Sequence, residues 1–305
     1  MATLTVPTSS SSTPNSDLLT SLARDGFVIL PSTQFPSLDL AALRAAAAQV
    51  TTLARSGAWP HIRTLPKQFP PWTSDSTAGI WGVQHLLHPS IPSTSRLAFA
   101  SSYFNAALLD TVAQLIECPA DELVMELYNL LVRPDADFAL RWHRDDIPAT
   151  ATPEEETARL GKPAWHAQWN LALYDDASLI VVPGSHKRAR TAAERAAGPF
   201  ESDMPGQMVV KLKSGEVVFY DNNILHRGVY DSRVERMTLH GSVGCVKGGG
   251  ARARNVLQHG VGEWVGRCDF EGLEDRMREM AERMRERLVE MGKVSGDVGF
   301  YSKEE

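Results

Sequence analysis

His143 and Asp145 stand two residues apart in Trp142-His143-Arg144-Asp145. Residues i and i+2 of an extended segment share a face. The spacing therefore directs one imidazole nitrogen and one carboxylate oxygen toward a common point. A third donor has to come from elsewhere, and His226 in Asn223-Ile224-Leu225-His226-Arg227-Gly228 is the strongest candidate. Two histidines and one carboxylate with coordination positions left open suit Fe(II) that activates O2. Asp146 would point to the opposite face of the same segment and is a poor ligand. Arg236 follows His226 closely enough to lie on a neighbouring strand, where its planar fork could hold a carboxylate.

These residues need a rigid frame. Residues 1–16 are rich in Ser, Thr and Pro and read as a disordered tail. A short helix from near Asp17 leads into a strand at 27–31, and helical spacing of Leu40, Leu43, Ala47, Val50 and Leu53 predicts a helix over 38–55. The Pro- and Ser-rich stretch 56–95 reads as surface loops, although Trp81 and Gln84 within it could line a pocket. A helix is expected over 96–116. Short apolar segments at 122–133, 165–174, 178–183, 207–212, 216–220 and 236–246, separated by turn residues, then predict strands. The pattern implies a mainly β fold with flanking helices, an antiparallel barrel or double-sheet jelly roll. Phe270, Leu273, Met277, Met280, Met284, Leu288 and Met291 form one apolar stripe, which predicts a final helix started by Asp269 and ended by Gly292. That stripe packs on the barrel, or alternatively pairs two chains as a homodimer.

Taken together, 17–305 reads as a single domain: a helical part at 17–120, a jelly-roll core at 121–247, and a C-terminal loop and helix at 248–305. With 305 residues the chain can bury a sizeable core. A net charge of −6 argues against a nucleic-acid partner. No apolar run is long enough to span a membrane, and no signal pattern opens the chain. Cys118, Cys245 and Cys268 are odd in number and widely spaced, which fits reduced thiols in a cytoplasmic protein. Ser185 has histidines available but no Gly-x-Ser-x-Gly elbow, so hydrolase chemistry is disfavoured.

Four motifs carry a more specific likeness. They are Asp25-Gly26-Phe27-Val28-Ile29-Leu30, Trp142-His143-Arg144-Asp145-Asp146, Leu179-Ile180-Val181-Val182-Pro183-Gly184-Ser185-His186, and Gly215 through His226 followed by Arg236. The chain resembles the phytanoyl-CoA dioxygenase (PhyH-like) family of Fe(II)/2-oxoglutarate oxygenases. The resemblance implies a double-stranded β-helix (a cupin-like jelly roll), iron at His143, Asp145 and His226, and Arg236 on the distal carboxylate of 2-oxoglutarate. It also implies O2 as oxidant, release of succinate and CO2, and a small-molecule substrate. The carboxylate at Asp145 argues for hydroxylation, or for desaturation, epoxidation or rearrangement, and against halogenation. Three positions depart from the family pattern. Leu140 stands where Gln is frequent and Gly228 where Ser is common. The segment Asp176-Ala177-Ser178-Leu179 replaces Asn-Gly-Ala-Thr, so the hydroxyl near 2-oxoglutarate is expected to be missing or displaced. Asn129, Gln168 and Asn170 are the expected substitutes for the altered contacts. Trp81, Gln84, Trp142, Trp165 and Trp169 are expected to form an aromatic pocket for a largely apolar molecule. The alternatives are a jelly-roll protein that binds metal or ligand without turnover, and an oxygenase using another co-substrate.

Overall fold

The computed structural model of the protein describes residues 14–293, so most of the expected tail lies outside the described residues. In chain order the elements are α1 (Pro14–Asp25), β1 (Phe27–Leu30), α2 (Leu40–Arg55), β2 (Ile62–Thr64), β3 (Ile80–Val83), α3 (Ser93–Tyr103), α4 (Ala106–Leu115), β4 (Leu123–Val132) and β5 (Phe138–Ala139). There follow α5 (Pro153–Leu160), β6 (His166–Ala172), β7 (Asp176–Val181), α6 (Ala192–Ala196), β8 (Met208–Leu212), β9 (Val217–Tyr220), β10 (His226–Tyr230), β11 (Met237–Cys245), α7 (Gly249–Gln258) and α8 (Asp275–Lys293).

The strands form two antiparallel sheets. A seven-stranded sheet runs β1-β9-β6-β11-β4-β3-β2, and a four-stranded sheet runs β5-β10-β7-β8. This is the jelly roll that the strand spacing predicts. The alternation along β6 explains how the large sheet makes both a core and a polar interior. Trp169 and Leu171 point into the helix-covered core, while His166, Gln168 and Asn170 point the other way, into the barrel. β11 repeats the pattern with Leu239 and Val243 on the core side and His240 and Ser242 on the barrel side. Gly241 between them is required because a Cβ there would run into the Trp169 indole.

Three expectations about elements are corrected. The stretch 56–95 is not only loops, since β2 and β3 extend the large sheet and bury Ile62, Ile80 and Val83. The single helix over 96–116 is two, because Asn105 turns the chain and its side chain accepts from the Leu108 N–H at 3.2 Å as the cap of α4. The final helix starts later than Asp269, at Asp275, because Gly272 takes φ +89° and leaves Phe270 and Leu273 packed ahead of it. Asp269 instead pairs with Arg96 at 2.9 Å. The apolar face of α8 buries Ala281, Met284 and Leu288 in the main core and packs on β4 and α7 of its own chain.

All three cysteines are free, yet Cys118 and Cys245 converge with Glu122, their ligand atoms within 4.8 Å of one another. Among the described residues, no helix is long and apolar enough to cross a membrane.

Candidate active site

His143 and His226 face each other across a single antiparallel bridge. The two backbones exchange N–H···O bonds of 3.0 Å in each direction. His143 therefore sits outside the regular strands, held by one bridge to the start of β10. Asp145 N donates to Asn222 O at 2.9 Å, which keeps the segment extended and puts Asp145 on the same side as His143. The donor atoms of His143, Asp145 and His226 lie within 4.8 Å of one another. Asp145 Oδ1 is 3.6 Å from His143 Nε2 and 3.7 Å from His226 Nε2.

The other atoms of these groups are already committed. His143 Nδ1 lies 2.8 Å from Arg141 O, and His226 Nδ1 lies 2.8 Å from Ile224 O. A carbonyl can only accept, so each Nδ1 carries the proton and each Nε2 presents its lone pair. Burial pushes the His143 imidazolium well below its ordinary range, with His226 adding to the effect, so the ring is neutral. Gln168 Nε2 donates to Asp145 Oδ2 at 3.0 Å, leaving Oδ1 turned to the two imidazoles. Two oriented nitrogens and one oriented oxygen, with partners on every other polar atom, fit a divalent metal of the Fe(II) type.

The Pro183-Gly184-Ser185-His186 turn is a clamp for this arrangement. Ser185 Oγ accepts from Leu225 N at 2.7 Å, one residue before His226. Arg144, between the two metal-ligand candidates, donates to Ser185 O at 3.0 Å and to Asn223 O. One buried guanidinium thus ties the two ligand-bearing segments to the turn. Trp142 alternates with His143 and so points away from the metal. It packs with Val182, Met204 and Leu225 and does not line the cavity, which corrects its expected place in the substrate pocket.

The triad opens into a cavity of about 220 Å³. Arg236 lines it at 6% exposure. Its Nε donates to Asp176 Oδ2 at 3.2 Å, its guanidinium lies 4.3 Å from the Tyr230 ring centre, and its Nη1 has no partner among the described residues. Ser178 Oγ lines the same cavity and is likewise unpartnered. Buried polar atoms are nearly always bonded, so these two orphans point to a ligand with acceptor oxygens. The distal carboxylate of 2-oxoglutarate fits that description. Of the two expectations for this hydroxyl, missing or displaced, Ser178 fits the displaced one, a residue before the position where the family carries Thr.

The remaining site residues divide. Gln84 lines the cavity as expected, as do Asn170, His166 and His240. Gln168 also lines it, but spends its amide on Asp145. Asn129 does not reach it. Its side-chain oxygen accepts from His85 N at 3.1 Å, which corrects its expected role at the co-substrate. Trp169 is buried in the core and Trp165 lies outside this cavity, so neither forms the aromatic wall. Phe69, Trp72, Trp81, Tyr220 and Tyr230 do. Sequence reasoning missed Arg63, Gln68 and Trp72, all of them in the stretch read as loops. A basic residue flanked by β-branched residues in Ile62-Arg63-Thr64 was the available signal.

The fold and the oriented facial triad define a class, the jelly-roll non-heme iron oxygenases. The family model for phytanoyl-CoA dioxygenase (PhyH) matches residues 22–229. This protein belongs to that family of Fe(II)/2-oxoglutarate-dependent oxygenases, and it is an enzyme. No curated protein is a significant match. Among solved structures, AviO1 from Streptomyces viridochromogenes Tue57 is 19% identical with a TM-score of 0.52, over 77% of this chain and 96% of that one. EctD from S. alaskensis, with 2-oxoglutarate and 5-hydroxyectoine, is 18% identical with a TM-score of 0.51, over 75% and 76%. The epimerase SnoN from nogalamycin biosynthesis is 19% identical with a TM-score of 0.50, over 76% and 81%. At these identities the three are similar in fold.

Proposed function

We propose that this protein is a 2-oxoglutarate-dependent dioxygenase that hydroxylates a small organic molecule held in the cavity beside His143, Asp145 and His226. The observation that carries the reading is the pairing of two features in one cavity. A metal-ligand set with both Nδ1 protons locked stands beside a buried arginine with one unpartnered nitrogen. The structures of EctD with 2-oxoglutarate and with bound Fe support the same pair of cofactors here.

When bound, Fe(II) and 2-oxoglutarate would supply O2 activation and hydrogen abstraction from substrate, with succinate and CO2 released. The chain's own residues do the positioning. Arg236 Nη1 takes the distal carboxylate of 2-oxoglutarate, with the Ser178 hydroxyl beside it. Asp176 fixes Arg236 from behind through Nε, and Thr238 Oγ1 donates to the same carboxylate oxygen at 2.7 Å. Phe69 sits edge-on to His143 at 5.5 Å and Tyr220 edge-on to His226 at 5.6 Å, shielding the ligand rings from water. A carboxylate at Asp145 fills the ligand position that a halide would need, which favours hydroxylation.

The test is turnover under ¹⁸O2. Succinate release that depends on 2-oxoglutarate, with one ¹⁸O atom carried into the product and both lost in His143→Ala, supports the reading. An oxidised product without ¹⁸O would replace hydroxylation by desaturation or rearrangement.

A further inference from the structure

Arg63 lines the same cavity. It lies on β2 directly across from Gly82 of β3. A Cβ at Gly82 would come within 3.0 Å of Arg63 Cδ and 3.3 Å of its Cβ and Cγ, so the glycine is what lets the arginine stem cross the sheet. The guanidinium then packs into the corner of two edge-on indoles whose centres are 6.3 Å apart, 5.3 Å from the Trp72 ring centre and 5.2 Å from that of Trp81. Both indole N–H groups donate to one acceptor, Lys67 O, at 3.0 and 3.1 Å. The corner around Arg63 is therefore held rigid from outside.

Arg63 has no ion pair and no hydrogen bond among the described residues, and its Nε is buried without a partner. Burial pushes its pKa down. The carboxylate whose charge acts on it is Asp145, already committed to the triad, and the tyrosines that act on it, Tyr220 and Tyr230, have raised pKa values and are neutral. Two cation–π contacts are worth about 0.5–2 kcal/mol each, whereas desolvating an unpaired charge costs several kcal/mol. The imbalance is relieved by an anion entering the cavity. Arg236 is engaged separately, paired with Asp176 at 3.2 Å and packed on the Tyr230 ring, whereas Arg63 packs on Trp72 and Trp81.

We propose that Arg63, packed on Trp72 and Trp81, is the anion-recognition residue for the substrate, and that this enzyme oxidises a molecule bearing a carboxylate. The inference rests on the oxygenase reading and narrows its substrate class. The largely apolar substrate expected from the sequence is replaced by one with a charged end and an unsaturated or aliphatic body that lies along the aromatic wall. A planar carboxylate matches the guanidinium fork in two parallel bonds, and a phosphate monoester presents the same acceptor oxygens.

The test uses full-length protein loaded anaerobically with Fe(II) and 2-oxoglutarate. The probes are benzoate, its neutral isostere benzamide, and inorganic phosphate. Binding is read by ligand-detected NMR, and the visible band of the chelated keto acid reports whether 2-oxoglutarate stays in place. Benzoate is expected to bind at least about tenfold better than benzamide, the advantage of one charge-assisted pair. That preference should vanish in Arg63→Gln and persist in part in Arg63→Lys, with the band unchanged in both. Phosphate binding better than benzoate would overturn the carboxylate assignment. Equal binding of benzoate and benzamide, or no binding of either, would overturn the subsite. So would a band lost in Arg63→Gln, which would place Arg63 on 2-oxoglutarate. A wild-type protein without the band that still prefers benzoate would sink the oxygenase reading and leave the anion subsite standing.

Discussion

Serine is common in the family at the position of Gly228, yet restoring it here should damage the protein. A Cβ on Gly228 would meet the Tyr230 hydroxyl and come within 2.6 Å of Tyr230 Cζ. Tyr230 cannot swing clear. It is 4% exposed, stacked on Trp81 and Phe138 at 6.0 Å each, and covered by Arg236 at 4.3 Å. Overpacking of this kind costs about 1–3 kcal/mol. Displacing the ring also disturbs its contact with the Arg236 guanidinium at 4.3 Å, worth about 1 kcal/mol more. Gly228→Ser should therefore lose about 2–4 kcal/mol, a fall of about 3–6 °C in melting temperature for a chain of this size. It should also bind 2-oxoglutarate about tenfold more weakly, because Arg236 loses its support. Tyr230→Phe removes the atom in closest conflict, so the double variant should be more stable than the sum of the singles by about 1 kcal/mol. Calorimetric melts and anaerobic 2-oxoglutarate titrations of the four proteins make the measurement. A Gly228→Ser protein with wild-type melting and affinity, or strict additivity in the cycle, would refute the reasoning.

Three further outcomes follow from the same geometry. Gln168→Leu frees Asp145 Oδ2 and should weaken Fe(II) binding about 10–100-fold, read by calorimetric titration; unchanged affinity would mean that the 3.0 Å bond does not orient the carboxylate. Burial alone would raise the Asp176 carboxyl, but Arg236, the Ser178 backbone N–H and the Thr238 hydroxyl outweigh it and hold it at about 2. A depressed carboxylate stabilises the fold above its ordinary pKa and loses that contribution as pH falls through the folded value. Wild type should thus shed about 2 kcal/mol between about pH 4 and pH 2, whereas Asp176→Asn, already destabilised, should lack that component in urea midpoints measured across the window. Arg252→Gln strips the bidentate partner from Glu126, now held at 2.8 and 2.6 Å. Breaking a buried pair costs about 3–5 kcal/mol, so a melt within about 1 °C of wild type would contradict its role in pinning α7 to β4.

The convergence of the three candidate ligands was readable because it is local: His143 and Asp145 need only an extended segment, and His226 needs only to follow the strand before it. The jelly roll was readable from the period of two in segments such as His166–Ala172, where polar and apolar residues alternate. What stayed hidden depends on long-range packing. Trp142 looked like a pocket wall because of its neighbours in sequence, but alternation sends it to Val182 and Leu225. Asn129 carries the right chemistry and is spent on His85. β2 and β3 are three and four residues long among prolines, so their local signal is weak and their stability comes from β4 beside them. Arg63 was missed for the same reason, and its glycine partner Gly82 can be identified only from the strand register.

The site we propose has His143, Asp145 and His226 holding Fe(II), with 2-oxoglutarate beside Arg236. The most direct test adds Fe(II) and then 2-oxoglutarate to metal-free protein under anaerobic conditions and follows the weak visible charge-transfer band. A band in the wild type, absent in His143→Ala and requiring much more 2-oxoglutarate in Arg236→Ala, is the predicted result. Bound iron with no band at any concentration of 2-oxoglutarate, or a band that survives His143→Ala, would contradict it.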